Sequence, residues 1–96
     1  MTDVTIDLEE TDSGGRFVAR TQAGEAELTF SKAGTERIIA DHTGVPRALG
    51  GQGIGTQLVE RLHDHAKAEG LKVVALCPFV KAQMAKHPEW RDVLDR

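Results

Sequence analysis

The hydrophobic rhythm of this chain changes at the stretch from Val45 to Thr56, VPRALGGQGIGT. Before it, apolar residues recur at every second position; after it, they recur about every 3.6 residues. A chain with that rhythm lays down strands first and then packs a helix back over them, because neither element can bury its apolar side alone. Gly50, Gly51, Gly53 and Gly55 crowd the switch, directly ahead of a helical pattern that begins near Gly53. Their missing side chains leave the unpaired N–H groups of the first helical turn accessible. Together with the positive end of the helix dipole, those groups favour a bound anion such as phosphate.

The strands come in series. Residues 4–8, VTIDL, alternate apolar and polar, and Glu9 to Gly15 is a polar connector. Arg16 to Arg20 is a second run. Thr21 to Gly24 suits a hairpin turn into Glu25 to Phe30, where Ala26, Leu28 and Phe30 share a face. Ser31 to Gly34 is another tight link. The fourth run spans Glu36 to Val45, with Ile38, Ala40 and His42 on one face and Ile39, Asp41 and Thr43 on the other. An antiparallel meander is the simplest arrangement of the four.

Beyond Pro46, Ile54, Leu58, Leu62 and Ala66 fall four apart, widened by Val59, while Gln57, Glu60, Arg61, Asp64 and Lys67 take the opposite side. Gly70 is a suitable stop for this amphipathic helix. Leu71 to Leu76, LKVVAL, is short, apolar and branched, so it reads as a buried strand parallel to the fourth, reached through the helix. Pro78 can open a helix carrying Phe79, Val80 and Met84, and His87-Pro88 separates it from a last amphipathic piece with Trp90, Val93 and Leu94. Phe79, Met84 and Trp90 are expected in the core.

With 96 residues, the chain is read as one domain, 1–96, with room for one core. A net charge of -3 and the lack of a basic run argue against nucleic acid as a partner. No stretch is apolar enough to cross a membrane, no leader pattern precedes the first strand, and one cysteine permits no internal disulfide; the expected location is cytoplasmic. A P-loop would need a lysine after its last glycine, but Gly55 is followed by Thr56-Gln57. A dinucleotide fold would want GxGxxG after the first strand, whereas this motif is GxGxG after the fourth.

Taken with LKVVAL at 71–76, CPFV at 77–80 and HPEW at 87–90, the segment from Val45 to Val59 resembles the GCN5-related N-acetyltransferase superfamily, and more narrowly its small single-cysteine members. The resemblance covers about Gly24 to Leu94. Gly53 and Gly55 match the last two fixed positions of the superfamily's coenzyme A motif, Q/R-x-x-G-x-G/A, and Gly50 stands where Gln or Arg is usual. It implies a truncated α/β fold of the α+β kind: a mixed, mostly antiparallel sheet of about five strands, a central amphipathic helix and short C-terminal helices. It further implies acetyl-coenzyme A as co-substrate, with the fourth and fifth strands splayed apart at their ends and the pantetheine arm entering that wedge along Thr43, Gly44 and Val45. Phe79, otherwise expected in the core, is also a candidate to line the groove of the arm. The pyrophosphate would lie on Gly50, Gly51, Gln52, Gly53, Ile54, Gly55 and Thr56. Gly44 departs from the Glu that related small proteins often carry.

Acetyl transfer to an amine needs a neutral nucleophile, stabilisation of the oxyanion and a proton for the leaving thiolate. Many superfamily members take that proton from a tyrosine, and this chain has none. Cys77 is the replacement candidate, either as the acid or as a nucleophile that accepts the acetyl group, against the alternative of a small buried apolar residue. His42, just before the implied arm contacts, is the candidate base, since an imidazole takes up a proton near neutral pH, against the alternative of a satisfied strand histidine with no chemical role. His63 and His65, two apart on the helix, cannot share a face, and no metal site is expected. The acceptor is read as an amine on a small molecule or a protein, in a groove either open, suited to a protein or polyamine, or completed by a second subunit, so both monomer and homodimer are admitted. The competing reading is a non-catalytic acyl-coenzyme A binding or regulatory module.

Overall fold

The computed structural model describes residues 4–50 and 53–95. Five strands form one sheet in the order β1-β2-β3-β4-β5, with β1 Thr5–Glu10, β2 Gly14–Thr21, β3 Gly24–Ala33, β4 Arg37–Gly44 and β5 Lys72–Ala75. The first four are an antiparallel meander. The chain then passes through a 3-10 turn, Arg47–Leu49, and helix α1, Ile54–Glu69, before β5 pairs parallel to β4. Helix α2, Pro78–Lys86, and a 3-10 segment, Pro88–Val93, complete the order. The mixed sheet and its helices agree with the architecture expected from the sequence. The strands run longer than their apolar cores suggested: β2 begins at Gly14, and β3 continues through Ser31 to Ala33, so the turn falls at 34–36.

The period of 3.6 in α1 buries Ile54, Leu58, Val59, Leu62 and Ala66. They pack on the sheet face carrying Phe17, Ala19, Ala26, Leu28, Phe30, Ile38 and Ala40. At about 1.5–3 kcal/mol for each large side chain removed from water, this seam is the main attachment of helix to sheet. Gly70, with φ 69, ends α1 in the left-handed conformation, and its N–H bonds back to Ala66 and Lys67. Val80, Met84, Trp90 and Val93 extend the same core from the C-terminal segments. Phe79 differs from expectation: it is 37% exposed.

One irregularity reorients the end of β4. Phe30 pairs with Ala40 but Thr29 pairs with His42, so Asp41 is an extra residue on β4. Such a bulge shifts the alternation by one position. Thr43 consequently stands opposite buried Leu28, on the helix side, while His42 stands opposite Thr29 on the open side. The strict alternation read from the sequence had placed these two residues the other way round, with His42 sharing a face with Ile38 and Ala40.

Candidate active site

Pairing between β4 and β5 ends at Ala40 and Ala75. The Cys77 N–H still donates to the Ala40 carbonyl at 2.9 Å, but Leu76 is turned out to 67% exposure and Pro78 has no N–H to continue the ladder. Along Asp41–Gly44, therefore, the edge of β4 turned away from β3 has no partner strand among the described residues. This wedge is the splayed opening that the sequence resemblance implies.

Cys77 lies at the base of the wedge, buried, with its sulfur 3.5 Å from the Thr43 hydroxyl. Burial pushes the thiol up, but the Thr43 hydroxyl and the amides of Val80, Phe79 and Thr43 favour the anion more strongly, leaving it below its ordinary value. The sulfur closes no capping hydrogen bond on α2, so the Thr43 hydroxyl first, and the nearby amides after it, polarise the thiol.

The loop after β4 brings a second group to the same place. Leu49, 1% exposed, anchors the 3-10 turn in the core, and Gly53 takes φ 74 to turn the chain into α1. The N-cap residue Gly53 supplies no side-chain cap, and among the described residues no side chain takes that role at the helix start. A groove of about 380 Å³ runs from Val45 past Gly50 to Gly53, Ile54, Gly55 and Thr56. Phe79 and Gln83 of α2 form its other wall. A methyl group on Gly55 would meet the Phe79 ring at 2.6 Å, so the glycine lets that wall approach the helix start. Thr56 donates to Gln83 Oε1 at 3.2 Å, tying the two walls together.

Of the residues expected at the site, Thr43 and Cys77 are in contact, and Val45, Gly50, Gly53, Ile54, Gly55 and Thr56 line one groove. Gly51 and Gln52 lie outside the described residues. Gly44 and His42 are neighbours on the open face, where a Cβ at Gly44 would lie 3.5 Å from His42 Nε2. His42 and Cys77 are thus on opposite sides of the sheet, flanking the wedge rather than touching. Phe79 takes the second of the two places open to it, on the groove rather than in the core, whereas the sequence reading missed Leu49 and Gln83 as parts of this site. The i, i+4 spacing of Phe79 and Gln83 marks a common helix face, but nothing local says that this face meets α1.

His63, weighed in the sequence only as a metal ligand, joins a cluster of another kind. It is 8% exposed, with Nε2 2.8 Å from Asp92 and Nδ1 3.1 Å from Asp64, and it stacks against Trp90. Lys67 sits 2.9 Å from the other Asp92 oxygen. Lys67 first, and His63 second, draw the Asp92 carboxyl down to about 2. The cluster fastens the last segment to α1, away from the wedge. Among the described residues no group of three His, Cys, Asp or Glu side chains is placed to hold a metal, and no helix is long and apolar enough to cross a membrane.

A family model described as GCN5-related N-acetyl-transferase matches residues 16–93. The NMR solution structure of a GCN5-like protein from Staphylococcus aureus is similar at a TM-score of 0.72 and 31% identity, over 93% of this chain and 87% of that one. No curated protein matches. The matched span takes in the wedge, the glycine turn and both walls of the groove, and on that basis the chain belongs to the GCN5-related N-acetyltransferase family.

Proposed function

We propose that the protein binds acetyl-coenzyme A in the groove at the start of α1 and transfers the acetyl group to an amine. The observation that carries this reading is the continuity between the unpaired edge of β4 and the uncapped first turn of α1, which meet at Val45. Amides at the helix start hold the pyrophosphate, and the edge of β4 from Thr43 to Val45 offers backbone groups to the pantetheine arm. Gly51 and Gln52 are taken as further pyrophosphate contacts on the strength of the motif alone.

The thioester then lies in the wedge, with Cys77 on the helix side and His42 on the open side. The amine nitrogen attacks the thioester carbon and gives its proton to His42; the carbon–sulfur bond breaks and Cys77 Sγ–H protonates the departing thiolate. A thiol held somewhat below its ordinary value is well matched to another thiol, so this transfer runs with little driving force against it. The cysteine regains its proton from solvent after the products leave.

Calorimetric titration with acetyl-coenzyme A, paired with coenzyme A release over a panel of amines, tests the proposal. Binding at 100 times the dissociation constant should stabilise the fold by about 2.7 kcal/mol. Cys77→Ala and His42→Ala should each lower turnover by about 10²-fold or more while binding persists. Binding without turnover on every amine would replace this reading with a non-catalytic acyl-coenzyme A module. An acetylated Cys77 trapped by mass spectrometry would make the cysteine the nucleophile instead of the acid.

A further inference from the structure

The sheet face opposite the helices carries a second cavity, about 470 Å³, at the end of β3 and β4. It adjoins the groove at α1, since Val45 and Pro46 line both. Its centre exists because Gly44 has no side chain: Gly44 pairs directly with Glu27, and a Cβ there would meet nothing closer than His42 Nε2 at 3.5 Å. Glu27 therefore faces an empty position, and the His42 imidazole, two residues along β4, borders that position through Nε2.

The rest of the lining is amphipathic. Val18, completely buried, forms an apolar floor, and Glu25 stands two residues before Glu27, about 7 Å along the strand. Both carboxylates are paired with arginine, Glu27 with Arg16 at 2.7 Å and Glu25 with Arg20 at 3.2 Å. The same two arginines also serve Asp7 and Glu9, which leaves this part of the face net negative. Such half-exposed ion pairs are individually weak and exchange readily with another cation.

Resting on the transfer reading above, we propose that this cavity is the acceptor subsite and selects aliphatic diamines. One nitrogen lies beside Gly44 and His42, at the mouth of the wedge. The methylenes run over Val18, and the second nitrogen, as an ammonium, is held by Glu27 with support from Glu25. Glu27 is thus a specificity-determining residue: it reads the charge that a monoamine of equal length lacks.

The test compares 1,4-diaminobutane with butylamine. Steady-state acetylation is measured for each, together with calorimetric titration of each into the protein saturated with coenzyme A. The diamine should be preferred at least tenfold in kcat/KM, chiefly through KM, and Glu27→Gln should remove most of that preference and weaken diamine binding by about fivefold or more. Melting curves establish that the variant is folded, and Glu60→Gln, on exposed helix surface, is the control. Equal use of the two amines, or a preference unmoved by Glu27→Gln, overturns the subsite while turnover itself sustains the transfer reading. Diamine binding that depends on Glu27 without any acetylation upholds the cation site and removes the transfer reading.

Discussion

The Thr43 hydroxyl and the Cys77 sulfur lie 3.5 Å apart on the helix side of the sheet, although the residue preceding Thr43, His42, projects from the other side. The bulge at Asp41 creates this relationship. It lets one short segment of β4 offer a polarising hydroxyl to one side of the wedge and an imidazole to the other. Thr43→Val should raise the thiol pKa of Cys77 by removing a donor to the anion. The pH dependence of the cysteine β-carbon chemical shift reports the change, and an unmoved titration would show that the helix amides alone set it.

The two chemical roles open to Cys77 respond to pH with opposite sign. A proton donor must be protonated, so the ratio of the parent rate to that of Cys77→Ala falls as pH rises through the lowered thiol pKa. A nucleophile must be ionised, and the same ratio rises. Taking the ratio cancels the titration of the amine acceptor. Rate profiles of the two proteins on one amine should show the falling limb.

Gly53 and Gly50 should behave differently although they share a motif. Gly53 sits at φ 74, so Gly53→Ala costs about 1–2 kcal/mol in backbone strain. Gly50 has φ -65 and ψ 150, open to any residue, and an added Cβ would be 3.3 Å from the Arg47 carbonyl, requiring only a small adjustment. Gly50→Ala should therefore change stability by about 0.5 kcal/mol or less. Urea denaturation of both variants checks the contrast.

At Gly55 the obstacle to a side chain is the tip of the Phe79 ring, which is exposed enough to swing away. Gly55→Ala should leave stability within about 1 kcal/mol of the parent, because the helix propensity gained offsets the contact. Acetyl-coenzyme A affinity should fall by about tenfold, since a displaced ring and a new methyl group both occupy the groove. Truncating the ring in Gly55→Ala/Phe79→Leu should restore part of it, read by calorimetry.

The Asp92 carboxyl is lowered from 3.8 to about 2, with Lys67 as the main cause and His63 the second. A depressed carboxyl contributes stability that is present above its unfolded value and is lost as pH falls through its folded value. The melting temperature of the parent should therefore exceed that of Asp92→Asn by its full margin above about pH 5, and the two should converge as pH falls to about 2. A margin unchanged at pH 2 would mean that Asp92 acts through hydrogen bonding alone.

The order of elements, the face of α1 that is buried and the glycine turn ahead of it follow from local rules that neighbouring residues obey independently of the rest of the chain. Ile54, Leu58, Leu62 and Ala66 must share a side of any helix they form, and Gly70 can end it, whatever lies opposite. The orientation of His42 and Thr43 is different in kind. It depends on which residue of β4 is left unpaired against β3, an outcome of the whole register, and a shift of one position exchanges the two faces. Likewise the contact of Phe79 with Gly55, the burial of His63 against Asp92 and the empty position opposite Glu27 each join residues far apart in the chain. Local sequence determines what each segment prefers to be; only the closed packing of sheet and helices decides which side chains meet, because those contacts are paid for collectively by the burial of a shared core.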